Sequence, residues 1–506
     1  MSLVVEATLS CEGLDIEEES THASTAGSQR MEVLLSPISS NETPAHEENN
    51  SSLLGSKNSF RSSSRTPLIQ LVVLSVAYML GFSPLAALLN LEGILNPEIG
   101  HYALMGNYGG AIFSFVTAPV IGRFLGAKGS ILLGWSGQLV LIAVHFYVKA
   151  YILIPVAFCV GVLHAQTMIA AGVFVTTFAL QYAEITKNQR HTVMGMFNGM
   201  FYAIFSFETV WSNIVSSLIL NQPVVTYFNA TGLPNPLNLS QLCGPAFCPW
   251  EDTSGTYIRQ PEQYIVYILL GCFLAMSGTA FLITLCLVKN IHPSSGDAMH
   301  GSKDFFFAIG HLLFKKKLIF LIPLFVVTAV EEEFIFTEFT KAFVSCEIGI
   351  HYNGWVMLAY VAGQLVGNLA AGRLVKHLGW PIMYILAFLC NCACLTSMLL
   401  LDPMNRSTEF YFLIPVAWGF SDSVWMTQSS AYVGHVFPND KWPAFVAVRA
   451  AIYIAWGSLY ATTNFICMND KIYIAFGVMG FAMCSFGMFE FLHRGEKKKE
   501  IQAGRN

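Results

Sequence analysis

From Thr66 to about Phe491 the chain is a series of long apolar runs separated by short polar gaps. A helix needs roughly 20 apolar residues to cross a bilayer. Backbone groups in lipid must find their hydrogen bonds within the segment, so runs of this length read as helices. Composition agrees. Charged residues make up 12% of the chain and hydrophobic ones 54%, where a soluble domain carries about 25% charged. Twelve spans are expected, at 67–90, 102–122, 130–149, 151–180, 192–220, 263–288, 317–341, 354–375, 380–401, 410–435, 444–467 and 472–491. The fold class is an all-α membrane protein.

Charge sets the expected orientation. Lys149, Arg259, Lys341, Arg406 and Lys471 fall on one side of the spans, and every other Lys and Arg falls on the opposite side, with the two termini. The positive-inside rule then makes both termini cytosolic. Residues 1–65 are acidic and Ser-rich with few aromatics, the composition of a disordered cytosolic tail. Residues 66–288 form a first six-helix bundle, 289–316 a cytosolic central loop, 317–491 a second six-helix bundle, and 492–506 a basic tail. The end of the central loop, KDFFFAIGHLLFKKK, reads either as an inner-surface helix or as the start of the seventh span.

Loop 221–262 falls on the outer side. It holds glycosylation sequons at Asn229 and Asn238 and the cysteine pair of CGPAFC, Cys243 and Cys248. A Cys243–Cys248 bridge is the first expectation, with Cys346 in the next outer loop as a rival partner.

The chain repeats itself. YILIPVAF at 151–158 recurs as YFLIPVAW at 411–418, opening the fourth and tenth spans. Gly122-Arg123 after the second span recurs as Gly372-Arg373 after the eighth. Matching positions in two six-helix halves point to a duplicated transporter-like architecture. The short Gly-Arg loops resemble the loop motif of the major facilitator superfamily, without its usual acidic residue.

Few ionisable groups lie within the spans, and each is expensive there, by about 3 kcal/mol or more. They are Glu208 in the fifth span, Glu331, Glu332 and Glu333 in the seventh, Asp422 in the tenth and Arg449 in the eleventh. Gln428 lies one and a half turns beyond Asp422. Neighbours on a helix point about 100° apart, so the three glutamates cannot share one cavity. Two readings stand for the set. One is an ion, solute or partner-coupling site. The other is structural hydrogen bonding between helices. No phosphate-binding glycine loop, zinc spacing or nucleophile arrangement is present. No enzymatic activity, cofactor, metal or nucleic-acid partner is expected; lipid is the one certain neighbour, and any small-molecule substrate is unknown.

Four stretches resemble the Uncoordinated-93 family of the major facilitator superfamily. They are WGFSDSVWMTQSSAYVG (Trp418–Gly434), Glu331–Met357 with its FTKAFVSC core, LLNLEGILN (Leu88–Asn96) and WSNIVSSLIL (Trp211–Leu220). The homolog A branch is the nearest in pattern. Glu92 departs from it, standing where the pattern carries Gln. The resemblance implies a major facilitator fold and a role exerted through other membrane proteins. One branch regulates potassium channels and another escorts Toll-like receptors to endolysosomes. Channel regulation at the plasma membrane is the first functional expectation. A cation- or proton-coupled transporter and a receptor-trafficking chaperone are the alternatives.

Overall fold

The computed structural model describes residues 46–96, 99–219, 243–249, 263–291, 316–348, 352–400, 407–463 and 465–503. The sequons at Asn229 and Asn238 and the amphipathic stretch of the central loop lie outside them. Eleven α-helices are present among the described residues: α1 (His46–Leu95), α2 (Gly100–Val144), α3 (Ala150–Thr186), α4 (Arg190–Phe205), α5 (Phe207–Ile219), α6 (Gln263–Leu287), α7 (Lys316–Glu333), α8 (Asn353–Leu400), α9 (Phe410–Val436), α10 (Lys441–Thr462) and α11 (Met468–Ala503). A π-helical segment, Phe334–Ile348, continues α7.

The tally differs from the twelve spans expected, for local reasons. The second and third spans are one element, α2, broken at Gly126, and the eighth and ninth are α8, broken at Gly379. These glycines have φ of 65° and 74°. With ψ of -175° and 165° they lie in a region that essentially only glycine enters, at a cost to a residue with a Cβ of about 1–3 kcal/mol. The chain therefore kinks on one residue, with helix on both sides and no coil between. The fifth span divides at Ser206, whose hydroxyl donates to the Ala203 carbonyl. Helix also begins at His46, inside the stretch expected to be a disordered tail. Once the apolar span is nucleated, each added residue gains a hydrogen bond, so helix propagates outward from it.

Seven helices among the described residues are long and apolar enough to cross a membrane. Their outer faces carry exposed apolar side chains, among them Phe124, Phe481 and Phe491. Without water to hide from, such faces are stable only against lipid. The chain is a multi-pass membrane protein. The interior holds large aromatics instead: Tyr78, Phe82, Trp135 and Phe201 stack edge to face at centroid separations of 5.3–5.5 Å. The duplicated segments are packed alike. A Cβ on Gly110 of α2 would overlap the Phe158 carbonyl of α3, and one on Gly363 of α8 would overlap the Val416 carbonyl of α9. Small residues bring these helix pairs together.

The expected Cys243–Cys248 bridge is not formed. Cys243 pairs with Cys346 and Cys248 with Cys467. The Gly-Pro step between them makes a 3-10 turn, Gly244–Ala246, with Gly244 at φ 70°. That turn directs the two thiols to different neighbours. The rival partner Cys346 was visible in the sequence, and Cys467 was not considered.

Candidate functional site

α9 is not among the seven helices long and apolar enough to cross a membrane by length and composition. Ser421, Asp422, Ser423, Thr427, Gln428, Ser429 and Ser430 interrupt it, and all are buried. Trp418, Asp422, Trp425 and Ser429 recur at a spacing that puts them on one helical stripe. Both tryptophans are fully buried and act as donors. Trp418 Nε1 donates to the Glu331 backbone oxygen at 3.1 Å. Trp425 Nε1 donates to Asn391 Oδ1 at 3.0 Å, and Asn391 Nδ2 donates to Glu331 Oε2 at 3.0 Å. The Glu331 carboxylate is thus held by α8, which is held in turn by α9.

Asp422 has a different set of partners. Its Oδ2 accepts from the Tyr360 hydroxyl at 2.9 Å and from Gln364 Nε2 at 2.8 Å, both on α8. Gln364 also donates to Tyr360 at 2.8 Å, closing a triangle. One oxygen of each acid, Asp422 Oδ1 and Glu331 Oε1, is buried with no hydrogen-bond partner. Gln428 lies apart from the acids and accepts from Trp380 Nε1 of α8 at 3.1 Å.

The three consecutive glutamates diverge, as helical geometry requires. Glu331 is fully buried against α8 and α9. Glu332 is half-buried and within electrostatic reach of Asp422, Arg449, Glu208 and Glu333. Glu333 is half-buried, bonded to Thr337, and faces Tyr108 of α2 and Tyr460 of α10. Its Oε1 also lacks a partner.

Arg449 of α10 is the buried cation nearest this set. Its Nη2 donates to the Tyr202 hydroxyl of α4 at 3.1 Å, and Tyr202 shares a hydrogen bond with Ser430 of α9 at 3.1 Å. Among the described residues no carboxylate lies within ion-pair distance of Arg449. Glu208 Oε1 accepts from Thr209 at 2.8 Å, and its other oxygen has no partner.

The structure therefore brings Asp422, Glu331 and Glu332 into one region, places Glu208 and Arg449 at its edge, and separates Gln428 from it. Sequence reasoning missed Tyr360, Gln364, Asn391 and Tyr202. Gln364 and Asn391 were the findable ones, since an amide inside an apolar span needs a partner. Two further buried pairs lie outside this region. Glu338 takes Lys471 at 2.5 Å and also the Thr463 hydroxyl. Glu92 meets His145 Nε2 at 2.8 Å, while His145 Nδ1 lies 2.8 Å from the Leu141 carbonyl. At Glu92 the carboxylate thus has a ring nitrogen to bind. Among the described residues no group of His, Cys, Asp and Glu has the arrangement of a metal site.

No family model matches the chain. Among curated proteins it is similar to unc-93 homolog A of Xenopus laevis, 28% identical over 439 residues, which is 85% of this chain and 94% of that one. It is 25% identical over 446 residues to the putative potassium channel regulatory protein unc-93 of Caenorhabditis elegans, covering 83% of this chain and 61% of that protein. Among solved structures it resembles the major facilitator superfamily transporter FucP in its outward conformation, with a TM-score of 0.57 at 11% identity, over 84% of this chain and 99% of that one. At that identity the likeness speaks of fold alone, and the fold is that of major facilitator transporters. The resemblance first carried by the Trp418–Gly434 motif is shown along most of the chain, whose curated relatives are the unc-93 proteins.

Proposed function

We propose that this chain works through another membrane protein, as a regulatory subunit of an ion channel, with a potassium channel as the first partner to test. The observation that carries the reading is the similarity to a relative named as a potassium channel regulatory protein. The interior supports it. Asn391, Trp425, Tyr360 and Gln364 hold the buried acids in fixed hydrogen bonds between helices, which suits a scaffold. In this reading the breaks at Gly126 and Gly379 divide the chain into twelve crossings in two six-helix halves. Both termini are cytosolic, the outer loop is glycosylated at Asn229 and Asn238, and the protein resides at the plasma membrane. Affinity capture from native membranes, followed by identification of the bound proteins, tests it. A potassium channel should co-purify, and removing this chain should change potassium current, with rescue on re-expression. Capture without any channel, together with unchanged current, overturns it. Recovery of a Toll-like receptor instead would move the function to trafficking.

A second reading has its own support. The fold is that of transporters. Asp422 Oδ1, Glu331 Oε1, Glu333 Oε1 and Glu208 Oε2 are buried without partners. A carrier coupled to protons or cations uses such oxygens at the membrane midplane. Uptake into liposomes under an imposed gradient, compared with Asp422→Asn and Glu332→Gln, decides it. Gradient-driven uptake that both substitutions abolish supports transport, and no uptake under any gradient rejects it.

A further inference from the structure

The hexapeptide Cys243–Cys248 comes from the connection between α5 and α6, yet both of its disulfides and the backbone bond from its Phe247 go to later elements. Cys243 is bonded to Cys346, at the end of the π-helical segment that continues α7. Cys248 is bonded to Cys467, immediately before α11. Between them Phe247 is buried. Its carbonyl accepts the backbone N–H of Met468, the first residue of α11, at 2.8 Å. That N–H is one of the orphan donors at a helix start, so the hexapeptide serves as a cap. The Phe247 ring also lies 5.5 Å from Lys341 Nζ of the π-helical segment.

The segment it fastens departs from α-helical geometry. Phe334–Ile348 is π-helical over its whole length and follows directly on Glu331, Glu332 and Glu333. π-helical turns are rare and cluster at functional sites. The segment has one other fastening to the same place. Glu338 is held by Lys471 at 2.5 Å and by the Thr463 hydroxyl, and Lys471 also donates to the Thr463 carbonyl at 2.7 Å. These contacts join the π-helical segment to Thr463 at the end of α10 and to Lys471 in the first turn of α11. The constraint falls on α7, α10 and α11.

We propose that Cys243–Cys248 is a strap that pins the end of α7 to the α10–α11 connection, and that opening it frees Phe334–Ile348 and uncovers Glu333. The strap is a conformational device separate from the partner or solute that the protein serves. It needs no particular orientation in the membrane.

The test uses the full chain purified in detergent. Hydrogen exchange is followed over 334–348 in the unmodified protein, in Cys248→Ser with Cys467→Ser, and in Cys243→Ser with Cys346→Ser. Each pair removes one bridge without leaving an odd thiol. Exchange over 334–348 should quicken by at least about tenfold in either pair, while α3 is unchanged. Labelling of Glu333 by a water-soluble carbodiimide should rise in parallel. Unchanged exchange over 334–348 in a monodisperse double variant overturns the strap. Faster exchange with unchanged labelling overturns the uncovering of Glu333. If neither variant is monodisperse, the folded unmodified protein is treated with a water-soluble phosphine. The phosphorus attacks one sulfur and breaks the S–S bond, and water then supplies the oxygen of the phosphine oxide and the two protons of the two thiols. The same two readouts then decide.

Discussion

Asn391 is the residue on which two elements depend at once. It donates to Glu331 and accepts from Trp425, so Asn391→Ala strands a buried carboxylate oxygen and a buried indole N–H together. Each stranded group costs about 1–3 kcal/mol. Asp422→Asn is milder. The amide oxygen still accepts from Tyr360 and Gln364, and the new NH2 occupies a side where no partner is lost. The Asn391 change should lower the thermal midpoint of the detergent-purified protein clearly more than the Asp422 change, whose cost is about 1 kcal/mol. Equal midpoints in a fluorescence-monitored melt would mean that the Asn391 relay contributes nothing. The acids themselves were legible in the sequence, because a carboxylate in an apolar run stands out. Of their partners, only the amides Gln364 and Asn391 could have been found there. Tyr360 and Trp425 look like any aromatic of a lipid-embedded helix until the structure shows where the hydroxyl and the indole point.

At the scale of the helices, the two single-glycine kinks set where α2 and α8 break. Gly379→Ala forces a Cβ onto a backbone at φ 74°, and Gly126→Ala does so at φ 65°. Neither site is crowded: only Pro381 lies near an added Cβ at Gly379, at 3.8 Å, and nothing lies within 4 Å at Gly126. The expected loss is therefore backbone strain alone, about 1–3 kcal/mol each and close to additive when combined. Thermal midpoints of the two single variants and the double variant measure it. Apolar run length was enough to find the seven long apolar helices in the sequence. The boundaries that slipped are those where a glycine or a serine bends the chain without leaving helix. Run length registers loss of apolarity, not a change of backbone angle. The π-helical segment slipped for the same reason, since FIFTEFTKAFVSCEI carries no periodicity that separates it from an α-helix.

At the scale of the whole molecule, cysteine connectivity is the most direct check on topology. A non-reducing peptide map should recover Cys243 linked to Cys346 and Cys248 linked to Cys467. A closed Cys243–Cys248 peptide would contradict the arrangement of α7, α10 and α11 around that hexapeptide. The pairing was only half visible in the sequence. Two cysteines close together in a chain suggest each other, and nothing in the residues shows that a Gly-Pro turn directs them apart. The duplicated segments were more informative, because each is a helix packed on its preceding neighbour through a glycine, at Gly110 and at Gly363.

The separations of these bridges also bear on how the protein is made. Cys243 must wait for a residue 103 positions later, and Cys248 for one 219 positions later. At ribosomal rates of about 5–20 residues per second, the Cys248 thiol stays open for roughly 10–45 s while five further helices are synthesised. Over that interval the two thiols are within reach of each other and of any oxidant or isomerase in the compartment. The second bridge therefore reports synthesis as far as Cys467: a chain that stops between Cys248 and Cys467 lacks the native partner of Cys248, and a chain that passes Cys467 can hide that thiol. Quality control that retains exposed thiols would hold back the copies that stop in that interval with the thiol still open.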